Sequence, residues 1–291
     1  AETNVTIRAM RSTLVSTAEF EALSRAPTLG AAWSFMRKTA FGASLPDVDW
    51  EHVHDAEQHI RHATALQFHR AIRRLRGQPA TVATLLLSRW DLDNLQIALR
   101  TWRGRDVDQS HNGPVGHCAY KIPFDRIGNA QSIAEIVAAL EGTPYAAPIA
   151  AASTEYEKNH SMFAIELSLE KDFYARLIDA TTALGGADAR DGMAILGAEI
   201  DLLNLAWIGR ILRAPQAPGL EISDALIPGP SRFSRTLAAC GESREQLSQA
   251  SKDYVLRLAP HHDDTTSEFQ RLTLIEHAVA DAAEELARRQ F

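Results

Sequence analysis

A ten-residue segment occurs twice in related form in this chain, and this internal repeat constrains the fold more than any other feature. Residues 91–100 read DLDNLQIALR and residues 201–210 read DLLNLAWIGR, at an offset of 110 residues. The Ile-Glu pair at 165–166 recurs at 275–276 with the same offset. Because a stretch of this length is the size of a small domain, the repeat predicts duplication of one folded module.

The spacing of apolar residues predicts that this module is helical. Apolar residues recur every three or four positions along most of the chain, as in Ile133, Ile136 and Leu140, and this is the period of an amphipathic helix. Strand-length runs of alternating β-branched residues are absent. A run of arginines before Gly77 and Pro79 predicts a helix end. The expected fold class is therefore all-α.

The repeats predict three tandem, related helical units. A weaker similarity occurs three times, in segments that end at Phe41, Tyr145 and Tyr254, which we expect to be equivalent. A third Asp-x-x-Asn helix would start near residue 311, so the third unit is expected to be incomplete. The predicted units are residues 1–112, 113–222 and 223–291.

The polar residues of the repeated helix carry the first site prediction. Asp91, Asn94 and Leu95 share one helical face. One interpretation is a polar contact with a partner; the other is hydrogen bonding to neighbouring backbone or to a helix end. Recurrence favours the structural role, because a repeat retains what its fold requires. This role is predicted for Asp91, Asn94, Arg100, Asp201, Asn204 and Arg210.

Charge argues against nucleic-acid binding and leaves one candidate partner surface. The net charge is −7 and the pI about 5.9, whereas nucleic-acid binding requires a broad basic surface. The strongest basic cluster contains Arg70, Arg73 and Arg74. A solvated helix C-terminus is the simpler interpretation, because cations are favourable there. Docking of these arginines onto an acidic partner protein is the alternative hypothesis.

No catalytic, cofactor or metal site is predicted. The phosphate-binding loop, the nucleophile elbow and the zinc-binding helix motif are absent from the sequence. The His-His-Asp-Asp run at 261–264 is expected to be a solvated turn, and His59 and His62 a polar helix surface. Cys118 and Cys240 are expected to be free thiols. We also expect neither a signal peptide nor a membrane-spanning segment.

Four short motifs resemble those of the C-subunit family of V/A-type ATPases, which includes the d-subunit of the eukaryotic V-ATPase. The motifs occur in the family's order over residues 5 to 291. TIRAMRSTL resembles the family's R-x-R-A-M-K-S-x-L helix, and WDLDNL resembles x-D-x-x-N-L. GTPY and LIPG resemble x-T-P-Y and L-x-P-G-G. Their positions are residues 6–14, 90–95, 142–145 and 226–229.

The resemblance implies a non-catalytic coupling component without cofactors. Family members form a funnel of three similar helical domains with pseudo-threefold symmetry. The funnel sits on the membrane rotor ring of proteolipid subunits and receives the central stalk. The chain would then be a socket or spacer in ion transport, peripheral to the cytoplasmic face of the membrane and touching it only through partner subunits.

Two departures from the family pattern qualify this expectation. Pro230 replaces the second Gly of the turn, and the closing K-E-x-E-x-x-N-L-R segment is absent. Closure of the funnel and full docking on the ring are therefore in question. Two alternatives stay open: an all-helical enzyme of isoprenoid-synthase type, and a helical scaffold unrelated to ATPases.

Overall fold

The computed structural model is helical throughout the part of the chain that it describes. In that part every regular element is an α-helix or a short 3₁₀ helix, which confirms the all-α prediction. The predicted threefold symmetry and the three-unit division stay predictions. The described residues are 8–47, 53–104, 119–213, 225–241 and 243–258.

The chain divides into two compact units. The N-terminal unit is Ala1–Leu169 and the C-terminal unit is Glu170–Phe291. Helix α8, Phe163–Thr182, begins in the first and ends in the second. The other helices of the N-terminal unit are α1 (Thr17–Ser24), α2 (Leu29–Met36), the 3₁₀ helix Gly42–Ser44, α3 (Val53–Ile72), α4 (Gln78–Arg103), α5 (Phe124–Asn129), α6 (Ile133–Ala139) and α7 (Ala146–Asn159).

Hydroxyl side chains start the short helices of the N-terminal unit. The first amides of a helix lack partners within the helix, and a Ser or Thr oxygen can accept from one of them. Ser16 and Glu19 form a reciprocal capping box at α1. Thr28 starts α2 and Ser132 starts α6 in the same way, each accepting from a backbone N–H three residues later.

The predicted helix end before Gly77 is confirmed. Helix α3 ends at Ile72, and α4 starts at Gln78 with Pro79 in its first turn. Gly77 between them has φ 62°, a conformation that glycine adopts without steric strain. The turn lets α3 pack back against α4.

The core of the N-terminal unit centres on α4, which packs against α3 and α5. Leu92, Leu95 and Leu99 of α4 are fully buried. Burial of each such side chain contributes roughly 1.5–3 kcal/mol to folding. Helices α6 and α7 pack together farther along the chain, where Ile136 and Ile149 are fully buried.

The C-terminal unit is built from α9 (Gly186–Arg213), α10 (Arg232–Cys240) and α11 (Arg244–Leu258). Each of these three helices packs against the other two. Because all three meet, their apolar faces enclose a common core rather than a single seam. That core contains Leu205, Ile208, Leu226, Phe233, Leu237 and Leu247.

One described helix is long and apolar enough to cross a bilayer by length and composition. This is the stretch Gly186–Gly209 of α9, with a mean hydropathy of 1.3. Half of its most apolar window is buried inside the protein. Asp201 and Asn204 lie in this stretch, and their side chains hydrogen-bond to the residues that pack against α9. These contacts are those of a core helix of a folded unit.

The expected equivalence of three aromatic residues holds for two of them. Phe41 and Tyr145 are both buried, and each follows the residue that caps α2 or α6 by 13 positions. Tyr254 lies inside the long helix α11, so the alignment of segment 246–254 with the other two is wrong. Apolar residues at helical spacing occur in every amphipathic helix, so weak similarity of this kind does not determine register.

Candidate functional site

A buried carboxylate lies in the middle of α4. Asp91 is 0% exposed. Its Oδ1 accepts from the Ala119 N–H at 3.1 Å, and its Oδ2 accepts from the Tyr120 N–H at 2.9 Å. The Tyr145 hydroxyl also donates to Oδ2, at 3.2 Å. Asp91 therefore joins α4 to the chain before α5 and to the corner between α6 and α7.

The C-terminal unit holds a similar carboxylate in α9. Asp201 is 3% exposed. Its Oδ1 accepts from the hydroxyls of Ser231, at 2.5 Å, and Ser234, at 2.8 Å. Its Oδ2 accepts from the Tyr254 hydroxyl at 3.1 Å. Ser231 also caps α10 by accepting from the Ser234 N–H, so one side chain both starts α10 and joins it to α9.

The two arrangements share an aspartate in a long helix and a tyrosine hydroxyl from a later helix or helix corner of the same unit. The tyrosine follows its aspartate by 54 residues in the first and 53 in the second. The remaining donors differ, because backbone N–H groups serve Asp91 and serine hydroxyls serve Asp201. We call Asp91 with Tyr145 the first aspartate clamp, and Asp201 with Tyr254 the second.

The second predicted polar position joins α9 to the LIPG turn. Asn204 is 1% exposed, and both ends of its amide pair with Ile227. The Asn204 Nδ2 donates to the Ile227 carbonyl, and the Ile227 N–H donates to Asn204 Oδ1, both at 2.8 Å. Gly229 follows, where a Cβ would lie 2.5 Å from Ser234 Oγ and 2.8 Å from Ile200 Cγ2. The turn therefore packs against α9 and α10 too closely for a side chain.

The third position of the repeat forms an ion pair in the N-terminal unit. The Arg100 Nε donates to Glu166 Oε1 at 2.6 Å. Glu166 is buried and Arg100 half-exposed. Asn94 is 3% exposed in the same helix. The side chain of Arg210 lies outside the described residues.

Burial changes the proton affinities of the second clamp. It raises the pKa of the Asp201 carboxyl above its usual 3.8, while the donors Ser231, Ser234 and Tyr254 partly offset that effect. Burial, and then the charge and hydrogen bond of Asp201, raise the pKa of Tyr254 well above its usual 10. The tyrosine therefore stays protonated at neutral pH and keeps donating to the carboxylate. With its oxygens occupied by internal donors, Asp201 is a structural group.

The arginine cluster lies at the end of α3. Arg70, Arg73 and Arg74 are exposed, Arg70 in the last turn of the helix and the other two in the turn that follows. The Arg76 guanidinium donates to the carbonyls of Arg73 and Leu75, which satisfies acceptors that the helix end leaves open. The predicted partner surface is thus exposed.

Arg70 also borders a cleft of about 430 Å³ in the N-terminal unit. The cleft lies between the helical segment at residues 8–11, the turn after α2, and α3. Its walls are small or apolar apart from Gln67 and Arg70 of α3 and one threonine. The other lining residues include Met10, Thr13, Ala40 and Phe41.

The remaining candidates show no site in the described residues. No group of three metal-ligating side chains occurs there. His59 and His62 are half-buried on α3. Cys240 is a free thiol whose pKa is raised by burial. Cys118 and the run at 261–264 lie outside the described residues.

Sequence reasoning missed most of the donors to the two carboxylates. Ser231 and Ser234 were not singled out, although a Ser before an amphipathic segment is a recognisable helix start. The Arg100–Glu166 pair was also missed as a contact. The signal was present, because both residues occur in segments that recur at an offset of 110.

A comparison with known families decides which kind of protein this is. The sequence profile of the ATP synthase (C/AC39) subunit family matches residues 3–291. The chain belongs to this family. The match confirms the family predicted from the four motifs. It also removes the isoprenoid-synthase and unrelated-scaffold alternatives.

Individual AC39-family relatives agree with the profile, and each is the C-subunit of an A-type ATP synthase. The chain is 28% identical over 288 residues to that of Halorubrum lacusprofundi, covering 95% of this chain and 80% of the relative. It is 26% identical over 253 residues to that of Haloferax volcanii, covering 85% and 71%. For Methanosphaera stadtmanae the identity is 26% over 127 residues, covering 43% of this chain and a third (33%) of the relative.

Membership of the AC39 family establishes the coarse role of the chain. The family is a structural, non-catalytic component of a rotary ATP synthase. The chain is thus part of a membrane-associated, multi-subunit complex. The aspartate clamps fit this class, because their polar groups hold helices together.

Proposed function

We propose that the chain is a socket or spacer that couples the membrane rotor ring of a V/A-type ATPase to its central stalk. The observation that carries this proposal is the match of the AC39 family over residues 3–291. In the proposal, the chain turns with the ring and passes torque between ATP chemistry and ion movement. It lies at the cytoplasmic face and touches the membrane only through partner subunits.

The internal contacts support a part that transmits torque. A coupling element must be stiff, and close-packed helices with satisfied buried polar groups deform little. Each clamp connects helices whose residues are more than 50 positions apart in sequence. Asn204 adds two further hydrogen bonds between α9 and the following turn. Such connections resist sliding of one helix along another.

The proposal also retains two finer expectations. The three units at 1–112, 113–222 and 223–291 are proposed as related domains around the stalk. Arg70, Arg73 and Arg74 are proposed as part of the surface that meets it. The structural role of Asp91, Asn94, Arg100, Asp201, Asn204 and Arg210 is proposed to be the support of that surface.

A bridging experiment tests the coupling role. Detergent-solubilised rotor ring and purified central stalk are mixed with and without the full chain, and complexes are measured by native mass spectrometry. We expect a complex of ring, chain and stalk, and no ring–stalk complex when the chain is omitted. Equal ring–stalk association without the chain would contradict the proposal, as would failure of the chain to bind either component.

A further inference from the structure

The cleft beside α3 combines apolar walls with an exposed cation. Met10 and Phe41 line it, and Arg70 lies at its border with the guanidinium exposed. Within the described residues, Arg70 has no carboxylate partner. The cleft volume of about 430 Å³ is open to a side chain from outside.

The sequence around this cleft carries a local excess of positive charge. Residues 58–90 contain six arginines and neither aspartate nor glutamate, although the whole chain has a net charge of −7. Four of the six arginines lie within residues 70–76, at the end of α3. Such a local potential favours an acidic partner and disfavours a basic one.

We infer that this cleft receives one large apolar side chain from an acidic helix of the central stalk, while a carboxylate one turn away pairs with Arg70. This inference rests on the proposed function. Residues three or four apart lie on one helical face, so a single helix presents both groups together. Arg binds carboxylates in a planar, two-pronged geometry, and Met adapts its shape to an inserted group.

The concave form of the site favours the stalk over the ring. In the proposed socket the stalk end enters the protein, whereas the ring offers a platform on which it rests. A pocket that accepts an inserted side chain suits the entering partner. An apolar side chain buried in a pocket and flanked by an ion pair is the usual form of an interface hot spot.

Binding of the isolated stalk to charge-reversal variants tests the ion pair. Arg70→Glu should weaken stalk binding about tenfold or more. Arg61→Glu makes the same charge change on α3 nine residues earlier, which is the opposite helical face. This control should stay within about twofold of the wild type. Equal affinities of the two variants would overturn the inference, while stalk binding by the wild type would leave the proposed function intact.

A filling variant tests the apolar part of the cleft without changing charge. Ala40 lines the cleft and is exposed, so Ala40→Trp should occupy the space with little effect on folding. Ala18→Trp on the exposed surface of α1 is the matched control. We expect weaker stalk binding for Ala40→Trp alone. Unchanged binding by both variants would contradict insertion of a side chain.

Photo-crosslinking identifies the inserted segment. Benzoylphenylalanine is introduced at position 40 of the full chain, which is assembled with ring and stalk, irradiated and analysed by mass spectrometry. We expect a cross-link to a stalk helix, at an apolar residue with Asp or Glu three or four positions away. A cross-link to the ring, or to a stalk segment without a carboxylate, would overturn the inference.

Discussion

At the residue scale, the second aspartate clamp places a carboxylate among neutral donors. Asp201 accepts from three hydroxyl groups and is 3% exposed. Burial of a charge is unfavourable unless hydrogen bonds replace its water. The three donors replace that water in part, and the raised pKa of Asp201 reports the burial cost that remains.

Removing the carboxylate should reveal this balance. Asp201→Ala leaves the hydroxyls of Ser231, Ser234 and Tyr254 without their acceptor and should lower the free energy of unfolding by about 3 kcal/mol. Asp201→Asn keeps an acceptor oxygen and removes the charge, so its effect at neutral pH should be smaller. Denaturant unfolding measures both. A larger loss for the asparagine variant would contradict the hydrogen-bond assignment.

The same pair of proteins yields a pH prediction with a definite sign. Because the folded pKa of Asp201 is above the unfolded value of 3.8, the folded state keeps the proton to higher pH. Its contribution to stability therefore falls as pH rises from about 4 through the folded pKa. The unfolding free energy of the wild type minus that of Asp201→Asn should decrease over this range. An increase would show that the carboxylate pKa is lowered.

The tyrosine hydroxyls of the two clamps should contribute similarly. Tyr145→Phe and Tyr254→Phe each delete one donor to a buried aspartate and should lower stability by about 1–2 kcal/mol. The Phe233 ring stacks on Tyr254 with centroids 3.9 Å apart, and this contact survives in the variant. Tyr156→Phe is the control, because its hydroxyl makes no hydrogen bond to any residue that the structure describes. Thermal or denaturant unfolding should show less than about 0.5 kcal/mol for it.

At the element scale, capping residues decide where the short helices start. Ser132 starts α6 by accepting one N–H bond, and Ser231 starts α10 in the same way. Ser231 alone also donates to a buried carboxylate. The two serines thus separate the contribution of a cap from that of a clamp donor.

Substitution of the two serines should give unequal losses. Ser132→Ala removes a cap and should lower the free energy of unfolding by about 1 kcal/mol. Ser231→Ala removes a cap and an Asp201 donor and should lower it by about 2–3 kcal/mol. Urea denaturation of the two variants measures the difference. Equal losses would mean that the Ser231–Asp201 contact adds nothing beyond capping.

Periodicity and repeats were sufficient to predict the helical class and the buried position of both aspartates. Asp91 and Asp201 recur with their neighbours, and a repeated polar residue on an apolar face has to find partners inside the fold. Their donors come from segments about 30 to 54 residues away in the sequence. Contacts at that separation depend on how helices pack, and the period of one helix does not contain that information.

The arginine cluster shows the same limit. The helix end at Gly77 followed from local rules for glycine and proline, and it is confirmed. The cleft beside Arg70 could not be predicted, because its walls come from three separate segments whose apolar residues look like core residues in the sequence. Local patterns predict which residues are apolar, while tertiary packing determines which of them remain accessible.

At the scale of the whole molecule, two helical units with similar internal contacts act as one mechanical part in the proposed function. The AC39 family spans residues 3–291, and the two compact units each contain one aspartate clamp. The carboxylates of both clamps are engaged internally. The proposed coupling role requires that the outer surfaces, such as the exposed arginines after α3, make the contacts with partners.

The coupling ratio of the assembled enzyme tests the central claim most directly. ATP-driven ion uptake and ATP hydrolysis are measured together in vesicles that contain the ATPase, after depletion of this chain and after its re-addition. We predict that depletion abolishes ATP-driven uptake while the catalytic head still hydrolyses ATP, and that the full chain restores uptake. Undiminished ATP-driven uptake in depleted vesicles would contradict the coupling role.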